Sequence, residues 1–176
     1  MYSSIDQNKL DKPGRFLLDD VVLVSYQSAD GSNRNAKSIS IRSQVLEINL
    51  YDLVCEILEQ KGGMDRMFRV EKAKSKDKFL RALQSSLNIH QVLMPLIDQK
   101  IQSSNAKVYF LTGIGLVFPY IRSHNVLNNL QNVAKQAPTV AFFPGDYNGH
   151  SLNLFGLLKD DNYYRAFNID NIEAKS

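Results

Sequence analysis

The chain has 176 residues, of which 44% are hydrophobic and 22% are charged, and it carries a formal net charge of +3. This length suits one ordinary hydrophobic core, so we predict a single domain over residues 1–176, with frayed tails at 1–15 and 170–176. The composition excludes a chain that is disordered throughout. The net charge falls short of the strong positive bias of a dedicated nucleic-acid-binding protein.

The sequence offers neither a membrane span nor a cysteine-based site. No apolar run reaches the roughly 18 residues that a span needs, and the first residues lack the pattern of a secretory signal, so we expect a cytoplasmic protein. The single cysteine, Cys55, lies in an apolar helical pattern and is expected to be a small core residue. A disulfide framework and a cysteine-based zinc site are excluded, no group of His, Asp and Glu has metal-ligand spacing, and we expect no cofactor.

In the first third of the chain, the apolar pattern predicts two strands and a helix. The first strand candidate is 16–24, and a polar loop rich in Gly, Asn and Ser follows it. Apolar residues then define a strand region over 39–50, which leads into a helix over 51–60. This helix is predicted to end at 61–63, where a lysine and two glycines supply the cation and the left-handed backbone of a helix C-terminus.

The middle of the chain is predicted to be helical. Residues 64–70 suggest a short helix or turn. Over 76–102, apolar residues recur at steps of three and four positions, with breaks near Asn88 and Pro95. We therefore predict two helices here, packed on the sheet.

Residues 107–143 predict a strand, a helix and a second strand. Residues 108–111 are consecutive β-branched, aromatic or aliphatic residues, and 139–143 repeat that character after a helical interval at 126–134. A crossover of this length suits parallel strands in one sheet. The fold class is therefore α/β: a short, mainly parallel sheet flanked by helices, in a Rossmann-like or P-loop-like layout without a Walker motif. Phe110, in mid-strand, is expected to lie in the core, so that Phe110→Ala costs about 3–5 kcal/mol.

The loops that follow these two strands are the first place to look for a function. Parallel sheets tend to place ligands or partners at the carboxyl ends of their strands, so the loops 112–125 and 144–151 should lie near each other. Both carry side chains that are unusual for plain connectors. Our candidate partner-binding residues in these loops are Arg122, His124, Asp146 and Tyr147.

Tests for catalytic motifs in the same loops are negative. Residues 112–115, Thr-Gly-Ile-Gly, invite comparison with phosphate-binding loops, but they lack the Lys-Ser/Thr pair of a Walker loop and the third glycine of a dinucleotide loop. A tight turn that needs glycines is the favoured explanation. Ser123 and His124 are neighbours on a predicted helix, where adjacent side chains do not face each other. We therefore expect no enzymatic activity.

The most unusual hexamer in the chain is Asp-Asp-Asn-Tyr-Tyr-Arg at 160–165. Adjacent carboxylates could hold Mg²⁺, but such a site needs further oxygen ligands from elsewhere. We favour a turn that closes a last strand at 163–169, with one face rich in Tyr and Arg, which are enriched at protein–protein hot spots. If Arg165 docks on a partner, Arg165→Ala should abolish binding at a nearly unchanged Tm, whereas a drop of several degrees would assign it to the fold. The candidate partner-binding residues here are Asp160, Asp161, Tyr163, Tyr164 and Arg165.

Most of the excess positive charge lies between residues 61 and 81. One explanation is a solvated, poorly ordered linker face. The other is contact with a phosphate backbone or an acidic partner, and its signature would be binding that weakens with salt. The candidate nucleic-acid contacts are Arg69, Lys72, Lys74, Lys76, Lys78 and Arg81.

Three blocks in the last third of the chain, LTGIGLVFPYIRSHNVLNNL, FFPGDYNGHSLNLFG and LKDDNYYRAF, resemble the BrxB family, the small component of BREX (bacteriophage exclusion) defence systems of bacteria and archaea. Upstream, EINLYDLVCEILEQKG at Glu47–Gly62 is similar to the strand-to-helix step of that family. The N-terminal part of the chain matches poorly.

Together with the absence of catalytic motifs, this resemblance implies a non-enzymatic adaptor or scaffold subunit of a BREX phage-defence assembly. It also implies that other BREX proteins are the partners: the large ATPase, the alkaline-phosphatase-like protein and the DNA methyltransferase, with any contact to DNA being indirect. Two alternatives stay open. One is a degenerate nucleotide-binding or hydrolase-like domain, and the other is an accessory DNA-binding subunit.

Overall fold

A computed structural model describes residues 21–25, 45–159, 162, 164 and 166–169, and for the first of these ranges it describes the backbone alone. The predicted tails, the first part of the predicted first strand and the polar loop after it lie outside the described residues. The strands are β1 Val21–Ser25, β2 Val45–Asn49, β3 Val108–Thr112, β4 Thr139–Phe143, β5 Gly145–Tyr147, β6 Leu152–Leu154, β7 Leu158–Lys159 and β8 Ala166–Asn168.

The helices follow in chain order between β2 and β4. The α-helices are α1 Leu50–Gln60, α2 Gly63–Ala73, α3 Lys76–Ser86, α4 Met94–Gln102 and α5 Ser123–Val133. A π-helical turn, Ile89–Leu93, joins α3 to α4, and a 3₁₀ turn, Ile114–Val117, follows β3. No helix in the described part of the chain is long and apolar enough to cross a membrane.

Two sheets form from these strands. The main sheet has five parallel strands in the order β2-β3-β4-β1-β8, and the second sheet has three antiparallel strands in the order β5-β6-β7. Parallel neighbours must be joined by crossovers, and the described helices supply two of them, between β2 and β3 and between β3 and β4. The predicted α/β class and its parallel sheet are therefore confirmed.

The helix predicted at 51–60 is α1, Leu50–Gln60, and local signals mark its two ends. Asn49 accepts hydrogen bonds at its side-chain oxygen from the backbone N–H groups of Tyr51 (3.0 Å) and Asp52 (3.3 Å), which caps the start of α1. At the other end of α1, Gly62 has φ +112°, the left-handed backbone that glycine adopts most readily. Asn88 interrupts the helical run between α3 and the π-helical turn, as predicted, and accepts from the N–H of Gln91 (2.9 Å).

Two sequence predictions need correction. The short helix or turn expected at 64–70 is the full helix α2, which extends to Ala73 because the polar, charged residues around its few apolar positions are good helix formers. Pro95 does not end the helical run, because the π-helical turn Ile89–Leu93 continues directly into α4 at Met94. The change from π-helix to α-helix falls beside this proline.

Side chains on the main sheet alternate between two faces. One face shares the main hydrophobic cluster with α1, α4 and α5, and its residues include Ile48, Tyr109, Leu111, Ala141 and Phe143. The opposite face carries a second, smaller cluster built around Val108 and Val140, with Phe110, Phe142 and Ile169 packed against it. Phe110, which the sequence predicts to lie in the core, packs against this second cluster and is only half-buried. It is one position out of phase with Tyr109 and Leu111, which face the main cluster.

Candidate functional site

The loops that follow β3 and β4 meet at the carboxyl edge of the main sheet. A side chain at Gly115, in the first loop, would place its Cβ 2.8 Å from the Cγ of Pro144 and 3.1 Å from the Cε1 of Phe155, both beyond β4. Only a glycine fits this approach. The prediction that the loops 112–125 and 144–151 lie near each other is therefore confirmed.

The turn after β3 also packs closely on the start of α1. Gly113 has φ +71°, and a Cβ at this position would lie 2.5 Å from the side-chain oxygen of Asn49, the residue that caps α1. The glycine is thus needed for the left-handed backbone and for the close contact with the cap. These two requirements account for the Gly113 turn without a bound phosphate.

Tyr120, at the end of the same loop, holds the 3₁₀ turn in place. Its hydroxyl donates a hydrogen bond to the carbonyl oxygen of Leu116 (3.1 Å). Burial raises the pKa of Tyr120 above the ordinary value for tyrosine, and the neighbouring Tyr51 and Cys55 raise it further. The hydroxyl therefore stays protonated at neutral pH and remains a donor.

Beyond β4, the chain folds into the small antiparallel sheet, where the sequence suggested only a loop. Gly145 begins β5 at φ +155°, where any Cβ would overlap the carbonyl oxygen of Asn153 on β6. Asn148 closes the turn between β5 and β6, because its side-chain oxygen accepts from the N–H groups of His150 (2.9 Å) and Ser151 (2.8 Å). The strands are only two or three residues long, which is too short for an alternating apolar pattern to predict them.

Tyr147 connects the small sheet to β8, in the main sheet, and to the residues just before β8 by hydrogen bonds. The hydroxyl of Tyr147 lies 2.8 Å from the carbonyl oxygen of Tyr164 and 3.2 Å from that of Ala166. The N–H of Tyr164 in turn donates to the carbonyl oxygen of His150 (3.0 Å). The position of the small sheet beside β8 is therefore set by hydrogen bonds between the two segments.

The small sheet and the 3₁₀ turn expose large apolar side chains. Phe155 has φ +58°, a backbone conformation that costs energy for a residue with a side chain, and its N–H donates to the carbonyl oxygen of Pro144 (2.8 Å). We call these exposed side chains the edge patch: Leu116 (64% exposed), Phe155 (49%), Leu157 (82%) and Leu158 (41%). A group of exposed large apolar side chains on adjoining loops is typical of a protein–protein contact surface.

The predicted partner-binding residues fall into three groups. Arg122 and Asp146 are exposed, on the residue before α5 and on β5 respectively, and His124 is half-buried in the first turn of α5. Tyr147 is half-buried and fastens the small sheet, and Tyr164 is buried in the main core, so the expectation that Tyr164 faces a partner is corrected. The remaining candidates lie outside the described residues: Asp160, Asp161, Tyr163 and Arg165.

Sequence reasoning did not select the four residues of the edge patch. Its signal is present in the run Leu154-Phe155-Gly156-Leu157-Leu158, which is strongly apolar for a segment between two turns. However, an apolar run of this length predicts a buried strand equally well. Only the structure shows that Leu154 is buried while Phe155, Leu157 and Leu158 are exposed.

The predicted nucleic-acid contacts all lie on α2, α3 and the residues between these two helices, and all are exposed. The ion pair found within the described residues joins Lys100 on α4 to Glu56 on α1, at 3.0 Å. The cations on α2 and α3 therefore have no carboxylate partner among the described residues. The residues in question are Arg69, Lys72, Lys74, Lys76, Lys78 and Arg81. The same part of the chain contains no group of three or more His, Cys, Asp or Glu residues that could hold a metal ion.

Comparison with known proteins identifies the family. Residues 46–169 match the family described as "BREX protein BrxB". A curated "BREX protein BrxB" of Bacillus cereus (strain H3081.97) is 42% identical over 139 residues, which is 77% of this chain and 69% of the relative. Another, of Escherichia coli O9:H4 (strain HS), is 27% identical over 122 residues, or 69% of this chain and 60% of the relative. No solved structure gives a significant match. The chain therefore belongs to the BrxB family of BREX proteins.

Proposed function

We propose that this chain is a non-enzymatic adaptor subunit of a BREX phage-defence assembly, and that it docks on other BREX proteins through the edge patch. The family supports the assembly. The edge patch is the observation that carries the docking, because four large apolar side chains are exposed on the 3₁₀ turn after β3 and on the part of the small sheet that follows β6. Exposed apolar side chains of this kind favour binding because a partner that covers them removes apolar surface from water.

The backbone around the edge patch also favours docking. The backbone N–H of Phe155 donates to the carbonyl oxygen of Pro144, and one edge of its ring lies against Gly115, so both the backbone and the ring have contacts that restrict them before binding. A side chain that is ordered before binding loses less conformational entropy on binding. The exposed Asp146, on β5 of the same small sheet, offers a polar contact for the rim of such an interface.

The partners that we propose are the large ATPase, the alkaline-phosphatase-like protein and the DNA methyltransferase of the same system. The test is co-purification of the tagged chain from cells that express these proteins. Phe155→Asn with Leu157→Ser should remove most of the captured partner, by about tenfold or more. Asparagine is chosen at Phe155 because it tolerates a left-handed backbone better than other residues, which keeps the fold intact.

The matched control is Phe68→Asn, which removes another exposed phenylalanine, on α2 and outside the edge patch. It should leave the captured amount unchanged. Equal capture by the edge-patch variant and the control would remove the edge patch as the docking site. Phage restriction in an otherwise intact system should follow the same order, because an adaptor that no longer docks cannot assemble the system.

A further inference from the structure

A cavity of about 310 Å³ lies between α2 and α3, apart from the edge patch. Its walls are two facing helical stripes. The lining residues of each helix are separated mainly by three or four positions. They are Arg66, Met67 and Val70 on α2, and Phe79, Ala82, Leu83 and Ser86 on α3. Such spacings place side chains on one side of a helix. The two stripes therefore face each other across a gap that they do not fill.

Three cations stand among the residues that line this cavity. The Nζ of Lys61 donates to the carbonyl oxygen of Ser86 (2.7 Å), and Arg66 donates from Nη1 to the carbonyl oxygen of Lys61 (2.7 Å). A lysine has three donors and an arginine five, so both keep donors that these bonds do not use. Lys74 is exposed at the C-terminus of α2, and none of the three has a carboxylate partner within the described residues.

The remaining lining residues are mostly apolar. Met67 is buried, and Val70, Phe79, Ala82 and Leu83 are half-buried, so the gap is lined largely by apolar surface. An apolar group that fills the gap would gain binding free energy, because both its own apolar surface and that of the cavity would be removed from water. A volume of this size is at the low end of ligand pockets and suits a single large side chain better than a drug-sized molecule.

We propose that this cavity binds an acidic peptide segment of a partner protein, with one large apolar side chain of the peptide between α2 and α3 and neighbouring carboxylates on Lys61, Arg66 and Lys74. The apolar walls of the cavity fit the apolar side chain of the peptide, and the cations at its rim fit the carboxylates. A DNA backbone could satisfy the cations but has no apolar group for the cavity. The exposed cations around it, such as Arg69 and Lys72, would strengthen long-range attraction of an acidic partner.

The test is fluorescence anisotropy at low salt with the full chain and a labelled short peptide of alternating Glu and Asp around one central Phe. We expect saturable binding that weakens by about tenfold when the Phe of the peptide is replaced by Ser, and that falls as salt is added. Equal binding of the Phe and Ser peptides, or no binding at low salt, would overturn the proposal. So would duplex DNA that binds more tightly than the Phe peptide and displaces it.

Two variants, each with a control, locate the site. Lys74→Glu should weaken binding of the Phe peptide by about tenfold, whereas Lys72→Glu makes the same charge change on the same helix outside the cavity and should have a clearly smaller effect. Ala82→Leu fills the cavity without changing any charge and should also weaken binding, whereas Ser85→Leu on the exposed side of α3 should not. If each variant and its control change binding equally, the peptide binds elsewhere. Circular dichroism should be recorded for all four variants to check that they are folded, and co-purification through the edge patch tests the proposed function separately.

Discussion

The two faces of the main sheet are built from the same kinds of residue but are buried to different extents. On the face that packs against α1, α4 and α5, which we call the helical face, Leu111 is fully buried and Phe143 nearly so. On the opposite face, the smaller Val108 and Val140 are buried, while Phe110 and Phe142 remain half-buried. A large aromatic residue is therefore less buried here than its leucine neighbour. The difference shows that the burial of a side chain in this sheet depends on the face that it occupies. The type of residue does not predict that burial.

The largest expected effect is a contrast in stability between neighbouring residues of β3. Leu111→Ala should lower the free energy of unfolding by about 3–5 kcal/mol, because it leaves a cavity in the main core. Phe110→Ala should cost about 1–3 kcal/mol, because part of the ring is already exposed to solvent and less apolar area is lost.

Urea unfolding followed by circular dichroism measures both values, and each variant serves as the control for the other. A loss for Phe110→Ala that equals or exceeds the loss for Leu111→Ala would mean that the opposite face is as tightly packed as the helical face. The comparison between the two faces would then fail.

Much of the fold could be predicted from the sequence, for physical reasons that differ between elements. The strand at 139–143 matches β4 at both ends because a continuous apolar run is followed by Pro144 and Gly145, which end it. The helix predicted at 51–60 matches α1 to within one residue because its apolar pattern and its glycine stop are both local signals. The phase of Phe110 could not be predicted, because a run that is apolar at every position carries no period that distinguishes one face from the other.

The second prediction concerns the aromatic pair on the opposite face. The rings of Phe110 and Phe142 have centroids 5.3 Å apart and planes inclined by 70°, which is a favourable edge-to-face arrangement. A double-mutant cycle with Phe110→Ala and Phe142→Ala should give a coupling energy of about 0.5–1.5 kcal/mol. This would show that part of the stability of the half-buried face resides in one ring contact.

A cycle that pairs Phe110→Ala with Leu127→Ala is the control. Leu127 lies on α5 in the main core, and Phe110 lies on the other face of the sheet, so the two losses should add within about 0.3–0.5 kcal/mol. A coupling for the aromatic pair no larger than that of the control would assign the contribution of each ring to simple burial.

The candidate site was less predictable than the fold. The sequence placed the two loops after β3 and β4 together correctly, because parallel strands bring their carboxyl ends to one edge. It did not predict the small antiparallel sheet or the edge patch, since exposure of Phe155 depends on a left-handed backbone and on contacts with Pro144 and Gly115 that are distant along the chain. The sequence does not reveal that Tyr164 is buried, because the Tyr- and Arg-rich segment around it is typical of a docking surface.

The smallest expected effect is a dependence of stability on alkaline pH that arises on the helical face. Tyr109 is buried there, and burial raises the pKa of its hydroxyl above the ordinary value of 10.0. The folded protein therefore holds this proton at a pH where the unfolded chain has lost it. The stabilisation is fully present below pH 10, and it is lost as the pH rises through the folded-state pKa.

Tyr109→Phe removes this titration, so the variant should lose less stability than the parent chain between a pH just below 10 and more alkaline conditions. Urea midpoints for both proteins across that interval measure the difference. The pKa of Tyr120 is also raised by burial, so the stability of the Tyr109→Phe variant should still fall somewhat with rising pH. Combining Tyr109→Phe with Tyr120→Phe should reduce this remaining pH dependence. An identical alkaline loss in parent and variants would show that the buried hydroxyl on the helical face does not couple folding to protonation, and that the two faces of the sheet differ in packing alone.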